Sequence, residues 1–260
     1  MSNASLRTQV GQLAHRSVLR TLRQPAQIVP ALIFPMFLLA VNSGGLKSVV
    51  NLPGFPTDSY LTFALAITFM QGALFSVINS GTDLARDIET GFLNRMALTP
   101  LRGAALLSGL LAGSLMLGLM QALAYLIVGL AFGAELTAGV GGFFVIIALS
   151  VCVTVAFGTI GLFAALRTGS GEAVQGLFPV FFVFLFLSSM ALPLNLIQTD
   201  WFHTVASINP VSYLLQAFRS LLIEGWEPGK IALGFGIALA LFALGMLGAS
   251  SALKTRLVRT

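Results

Sequence analysis

Charged residues, cysteine and histidine are all scarce in this chain of 260 residues. Only 9% of the residues are charged and 57% are apolar, whereas soluble domains average about 25% charged residues. The single cysteine, Cys152, excludes a disulfide within the chain and a metal site built from cysteines. The two histidines, His15 and His203, are far apart in the sequence. These shortages, with a mean hydropathy of +0.93, predict an integral membrane protein without a bound metal.

Ionisable residues are also missing from the middle of the apolar stretches, and no ATP-binding motif is present. The pattern Gly-x-x-x-x-Gly-Lys-Ser/Thr, which cradles ATP phosphates, does not occur, so we do not expect this chain to bind ATP itself. Transporters driven by protons or sodium need an ionisable relay or a cation site at mid-membrane. Any transport is therefore expected to be driven from outside this chain.

Six apolar stretches are long enough to cross a bilayer, whose core of ~30 Å requires about 20 helical residues. They are residues 27–45, 60–80, 103–130, 141–166, 173–192 and 231–253. The first contains Pro30 and Pro35, which predict a kink or a break near its start. The predicted fold class is an all-α integral membrane protein with six transmembrane helices, in a single domain over residues 1–260.

Residues 1–26 are predicted to hold an amphipathic helix that lies on the cytoplasmic membrane surface. One stripe of this helix is apolar and the opposite one is basic, with its arginines directed at anionic headgroups. The apolar stripe is Ala14, Val18 and Leu22, and the basic stripe is Arg16, Arg20 and Arg23. A signal peptide is the alternative, but no clear small-residue cleavage site follows and further spans do.

The basic residues predict the orientation in the membrane. With a cytoplasmic N-terminus, only Lys47, Arg219 and Lys230 of the 14 lysines and arginines lie outside. The other eleven lie inside, as the positive-inside rule requires. Because the net charge of +5 is placed at span ends, it does not indicate nucleic-acid binding. We expect a multi-pass protein of the cell (inner or plasma) membrane with both termini in the cytoplasm.

Residues 193–229 are predicted to form an external re-entrant hairpin. Residues 205–223 are apolar enough to span, but a span there would place the basic C-terminal tail outside. It would also carry Arg219 through the core, which costs ~2.5–3.5 kcal/mol. Asn209 is expected to cap a helix that begins at Pro210, and Arg219 to reach water or to pair with Glu224. The apolar face of this helix is Val211, Leu214, Leu215, Phe218 and Leu222.

Residues 81–102 form the one long, charged internal stretch, and they are predicted to leave the membrane as a cytoplasmic loop. Leu84, Ile88, Phe92 and Met96 recur every four residues, which predicts one face of a helix that ends at Thr99-Pro100. The charges would then face water. An ordinary solvated loop with a salt-bridged helix is the alternative. The charged residues of the loop are Asp83, Arg86, Asp87, Glu89, Arg95 and Arg102.

This loop resembles the first cytoplasmic loop of type-2 ATP-binding-cassette (ABC) transporter permeases. The resemblance rests on the run from Arg86 to Gly91, on Leu93 and on Leu98-Thr99-Pro100. It implies a coupling helix that seats in a groove of a separate ATPase subunit. The sequence departs from many relatives at Phe92-Leu93-Asn94, where they carry Thr-Leu-Glu. The implied ATPase-coupling residues are Arg86, Asp87, Glu89, Gly91, Phe92, Leu93 and Arg95.

A second resemblance, to the re-entrant hairpin of drug-type (daunorubicin-exporter-like) ABC permeases, lies in 191–219. There an Asn-Pro-hydroxyl-Tyr sequence, here Asn209 to Tyr213, opens the second short external helix. With the six-span layout, the two resemblances cover nearly the whole chain. The implied residues of the external gate are Pro193, Trp201, Asn209, Pro210, Tyr213 and Arg219.

These resemblances imply the transmembrane permease subunit of an ATP-driven exporter of hydrophobic or amphipathic molecules, drug-like or lipid-like. ATP and magnesium would bind two copies of a partner ATPase, and a second copy of this chain or a homologous permease would complete the pathway. Gln71, Phe178 and Phe182 are candidates to line it, although lipid-facing or dimer packing also explains the phenylalanines. Export of polysaccharide or glycolipid, a membrane-embedded enzyme and a secondary transporter are the alternatives.

Overall fold

The structure is a computed structural model, which describes residues 6–97 and 103–258. Over these ranges the regular elements are all helical. Short 3₁₀ turns lie at Lys47–Asn51 and Leu194–Leu196, and a π-helical turn at Ser220–Glu224. The α-helices in chain order are α1 (Leu6–Leu22), α2 (Pro25–Gly45), α3 (Tyr60–Glu89), α4 (Phe92–Ala97), α5 (Gly103–Ala131), α6 (Gly139–Thr168), α7 (Gly171–Gln175), α8 (Leu177–Phe186), α9 (Asp200–Ile208), α10 (Pro210–Arg219) and α11 (Pro228–Val258).

Among the described residues, five helices are long and apolar enough to cross a membrane: α2, α3, α5, α6 and α11. They contain five of the six predicted spans. The span predicted at 173–192 is wrong as a continuous helix. α7 has 5 residues and α8 has 10, so even placed end to end with Gly176 between them they rise only about 24 Å at ~1.5 Å per residue. The chain leaves the helix after Phe186, short of the ~30 Å core.

Helix α2 runs unbroken through Pro30 and Pro35. Of the predicted kink or break, the break is therefore wrong. A proline frees the carbonyl four residues earlier from its helical hydrogen bond, which for Pro35 is the carbonyl of Ala31. Two buried side chains of α5 satisfy that carbonyl instead: Tyr125 donates its hydroxyl to it, and Gln121 donates Nε2 from 3.4 Å. The continuous helix is thus compatible with a proline because a neighbouring helix supplies the missing donors.

Helix α3 is the centre of the bundle. Side chains along most of its length are buried, and it packs against α2, α5, α6 and α10. Its approach to α6 is so close that a Cβ added at Gly161 would lie 2.1 Å from the carbonyl oxygen of Val77. Ser80 donates a hydrogen bond across this contact to the carbonyl of Gly158, at 2.8 Å. α3 therefore connects the two ends of the bundle as one packed rod.

Helix α1 lies against α5 rather than only on a membrane surface. A Cβ added at Gly109 would lie 2.4 Å from the Cβ of Leu13. Ser17 donates to the carbonyl of Leu110 at 2.8 Å and accepts from the backbone N–H of Gly113 at 3.1 Å. The small residues at 109 and 113 let the two helices approach closely, and this contact holds α1 beside the end of α3.

Candidate functional sites at the two ends of helix α3

The two regions singled out by the sequence lie at opposite ends of α3. Phe63, near its first residue, contacts the hairpin helix α10 through Arg219. Asp83 and Asp87, near its last residue, contact α1. Phe63 and Asp83 are about 30 Å apart along the helix axis, which is the thickness of a bilayer core. We call these the hairpin end and the coupling end of α3.

At the coupling end, a turn interrupts the predicted amphipathic helix. α3 stops at Glu89, and Gly91 adopts φ +69° before α4 begins at Phe92. Glycine reaches this left-handed conformation without the steric cost of a Cβ, which is how many helices end. The prediction of one helix from Leu84 to Met96 was therefore wrong, although both residues pack into the same apolar cluster. The predicted stop at Thr99-Pro100 lies outside the described residues.

The exposed charges of this turn form what we call the coupling surface. It consists of Arg86, Glu89 and Arg95, all of which are exposed. Gly91 and Phe92 lie between them and are partly buried. Oε1 of Glu89 accepts from the backbone N–H of Gly171 at 3.4 Å, which places the start of α7 beside the turn.

Two of the predicted coupling residues face inward instead. Leu93 is 2% exposed and belongs to the apolar cluster around Leu84. Asp87 is 5% exposed and accepts hydrogen bonds from both terminal nitrogens of Arg16, at 2.8 and 3.0 Å. The expectation that Asp87 is presented to water was wrong, because a basic helix distant in sequence covers it.

Four side chains complete this ion-pair cluster: Arg16, Arg20, Asp83 and Asp87. Arg20 reaches Asp87 at 2.9 Å through Nη1 and Asp83 at 3.1 Å through Nε. The Arg16 guanidinium carbon also lies 3.9 Å from the centre of the Phe92 ring. Arg16 and Arg20 were predicted to face lipid headgroups, but their charges are balanced inside the chain. The cluster ties α1 to α3 and α4.

At the hairpin end, the predicted helix start at Asn209-Pro210 is confirmed. Oδ1 of Asn209 accepts from the N–H of Val211 at 3.0 Å, and Pro210 is the first residue of α10. Nδ2 of Asn209 donates to the carbonyls of Phe184 and Leu187, at 2.7 and 3.0 Å. Because α8 ends there, these carbonyls lack helical partners, and one side chain satisfies both helix ends. The predicted apolar face is buried, and it consists of Val211, Leu214, Leu215 and Phe218 of α10 and Leu222 of the π-helical turn.

Arg219 is buried, and the prediction that it reaches water or pairs with Glu224 was wrong. Only 6% of it is exposed. It donates through Nη1 to the carbonyl of Ser189 and through Nη2 to that of Met190, both at 2.7 Å. Its guanidinium carbon lies 3.5 Å from the centre of the Phe63 ring, and Glu224 pairs with Lys230. The irregular chain after α8 leaves carbonyls to be satisfied, and Arg219 supplies the donors.

The other predicted gate residues are dispersed. Tyr213 donates its hydroxyl to the carbonyl of Ser207, which fixes the bend between α9 and α10. Trp201 is 64% exposed on α9. Pro193 lies before the second 3₁₀ turn and lines a cavity that Arg219 also lines. The structure thus brings Pro193 and Arg219 together and leaves Trp201 apart from them.

The candidate pathway phenylalanines form an aromatic cluster between α2, α3 and α8. Phe178 lies 5.3 Å from Phe75 and 4.7 Å from Phe182, measured between ring centres. Phe182 is 6.3 Å from Phe34, which is 39% exposed. Gln71 is buried one helical turn before Phe75. Sequence reasoning found Phe178 and Phe182 but missed Phe34 and Phe75, which lie on other helices.

Comparison with known proteins decides the family. A sequence model described as "ABC-2 type transporter" matches residues 8–223. The chain belongs to the ABC-2 type transporter family. As an ABC-2 permease with several apolar helices, it is a multi-pass membrane protein and a transport subunit.

Curated relatives of this ABC-2 permease extend over most of its length. It is 31% identical over 96% of its chain to the "Putative transport permease ycf38" of Porphyra purpurea, covering 90% of that protein. It is 26% identical over 81% of its chain to the "Probable doxorubicin resistance ABC transporter permease protein DrrC" of Mycobacterium tuberculosis, covering 75% of it. The resemblance to drug-type permeases that the sequence motifs predicted is thereby confirmed.

Proposed function

We propose that this permease is the membrane-spanning half of an ATP-driven exporter. Two copies, or one copy and a homologous permease, form the pathway, and two ATPase subunits that hold ATP and Mg²⁺ drive it. Family membership supports a role within an ABC transporter. The positions of the basic residues support a cytoplasmic coupling end and an external hairpin in the cell membrane.

One observation carries the coupling mechanism: α3 is a single helix from the hairpin to the coupling surface. It is buried along most of its length and packed closely on α6, so we expect it to move as a unit rather than by bending. A displacement applied at Glu89 would therefore reach the hairpin end, where Phe63 contacts Arg219. In this proposal ATP-driven closure of the ATPase pair moves α3 and opens the pathway.

Fewer residues are proposed to dock the ATPase than the sequence motif suggested. Arg86, Glu89 and Arg95 are exposed and supply charges that set orientation. Phe92, partly buried under Arg16, supplies the apolar anchor beside the Gly91 turn. Asp87 and Leu93 support this surface from beneath, because their side chains are already engaged within the chain.

The proposed substrate is hydrophobic or amphipathic, drug-like or lipid-like. The aromatic cluster supports this choice, because Phe34 is exposed and connects the surface of α2 to the rings of α8. The similarity to a protein named for doxorubicin resistance points to the same class. Polysaccharide or glycolipid export is less well supported, since the candidate pathway is lined by phenylalanine.

The test is a charge reversal on the coupling surface. Glu89→Lys should lower ATP-dependent transport of doxorubicin into vesicles by about tenfold or more, because a like or unpaired charge at an interface costs several kcal/mol. The permease would be co-purified with its partner ABC ATPase. Glu135→Lys, the same charge change at the exposed opposite end of the bundle, is the matched control. Equal transport by both variants would contradict ATPase docking at this surface.

A further inference from the structure

The hairpin end of α3 contains a cavity that none of the roles above uses. Its volume is about 400 Å³, within the size range of small-molecule sites. It lies between the start of α3, the irregular chain after α8, helix α10 and the start of α11. Residues that matter for its chemistry are Phe63, Ser189, Asn195, Gln216, Arg219 and Lys230.

The charges that line this cavity do not balance. Arg219 and Lys230 are cationic, and Glu224 is the one acid among the lining residues. Glu224 is paired with Lys230. Within residues 6–97 and 103–258, no carboxylate forms a salt bridge with Arg219, whose contacts are two carbonyls and a phenyl ring. The cavity therefore has one positive charge in excess. A buried cation without an anion is costly.

Two residues that line the cavity also carry a buried, unused donor behind its surface. Nε of Arg219 and Oγ of Ser189 have no hydrogen-bond partner among the residues that the structure describes. Ser189 is 1% exposed, so both side chains are held in place by packing. Arginine has five N–H donors, and the two carbonyl bonds use only part of them. Amide side chains of Asn195 and Gln216 add further donors at the same cavity.

We propose that this cavity binds a phosphate group, carried by a phospholipid headgroup or free in solution. Excess positive charge, an arginine, a serine hydroxyl and side-chain amides are the groups that bind phosphate oxygens in proteins. The remaining wall includes Pro193, Leu194 and Ile223, which gives an acyl chain or glycerol an apolar surface. The site depends on the hairpin geometry alone and does not require the proposed direction of transport.

Calorimetric titration of the full-length protein in an uncharged detergent tests the site. The probes are dihexanoyl phosphatidate, inorganic phosphate and dihexanoylglycerol, which lacks the phosphate. We expect saturable binding of dihexanoyl phosphatidate and none of dihexanoylglycerol. Comparable binding of inorganic phosphate would assign the site to the free ion, and its absence would assign it to the lipid headgroup.

Arg219→Gln should weaken binding of dihexanoyl phosphatidate by at least about tenfold, because it removes the charge-assisted hydrogen bonds. Arg7→Gln, which removes one positive charge from an exposed position on α1, should leave it unchanged. Asn195→Trp narrows the cavity at an exposed position without altering Arg219, and should also weaken binding. The proposal is overturned if wild type binds neither phosphate probe, or if Asn195→Trp and a folded Arg219→Gln both bind like wild type.

Discussion

Arginines pack against both ends of α3, partly buried at the coupling end and buried at the hairpin end, but their partners differ. At the coupling end, Arg20 and Arg16 meet two carboxylates, so two positive charges face two negative ones. At the hairpin end, Arg219 meets backbone carbonyls and an aromatic ring, none of which carries a negative charge. In the first arrangement the charges are balanced, and the ion pairs hold α1 in place. The second leaves positive charge that a ligand can neutralise.

This difference sets what each end can do. A balanced cluster resists change, because removing one partner strands a buried charge. In the proposed mechanism, this cluster holds the coupling surface rigid while the exposed charges beside it meet the ATPase. An arginine held only by dipoles can exchange or add an anion without first breaking an ion pair. Substitutions at the two ends should therefore differ in how much they destabilise the protein and in which interaction they remove.

The largest stability effect is expected from Asp87→Ala. It leaves Arg16 and Arg20 with Asp83 as the remaining carboxylate of the cluster, and a broken buried ion pair costs about 3–5 kcal/mol. The partial exposure of Arg16 favours the lower value. Thermal unfolding in detergent measures the loss, and limited proteolysis shows whether α1 has detached. The exposed Glu89→Ala is the control and should shift unfolding little.

A smaller loss is expected from Arg219→Leu. The change strands the carbonyls of Ser189 and Met190, which are dipoles rather than charges, so the expected cost is about 1–3 kcal/mol. The same unfolding measurement ranks the two ends. If Arg219→Leu destabilised the protein more than Asp87→Ala, the contrast between a charge-balanced end and an end with excess positive charge would be wrong.

The smallest effect is expected midway along the bundle, where Tyr125→Phe removes a hydrogen bond between neutral groups. The carbonyl of Ala31 would keep only the longer bond from Gln121. One neutral hydrogen bond contributes about 1 kcal/mol. Val128→Ala, one turn further along α5, is the control for a loss of packing alone. An effect as large as that of Asp87→Ala would show that the proline-containing helix α2 depends on this bond.

The sequence predicted those structural features whose physical causes lie within a short stretch of the chain. Long apolar runs identify α2, α3, α5, α6 and α11, and the Asn209-Pro210 cap is encoded by two adjacent residues. The Gly91 turn carried a signal too, a glycine two residues after the charged Glu89, but apolar periodicity outweighed it. The length of the helix that contains α8 was overestimated, because a stretch such as 173–192 is equally apolar whether or not it stays helical.

The partners of the buried charges could not be predicted, because they are distant in sequence or leave no trace in it. Asp87 accepts a hydrogen bond from Arg16, which is 71 residues away in the sequence. Neither segment contains a sequence signal that identifies the other as its partner. Arg219 binds carbonyls, which every residue possesses. Its burial became visible only once the chain after α8 was seen to leave the helix. Both errors came from assuming that a charge in an apolar protein must face water.

The central claim, that the coupling end docks an ATPase, is tested most directly by cross-linking. Cys152→Ser removes the only cysteine. A single cysteine is then placed at Glu89 or at Glu135, which lies in the loop between α5 and α6 beside the opposite end of α3. Membranes containing the permease and its ABC ATPase are treated with a short, amine-reactive maleimide cross-linker. We predict a permease–ATPase adduct from Glu89→Cys and none from Glu135→Cys. No adduct from Glu89→Cys, or one from Glu135→Cys alone, would contradict the account.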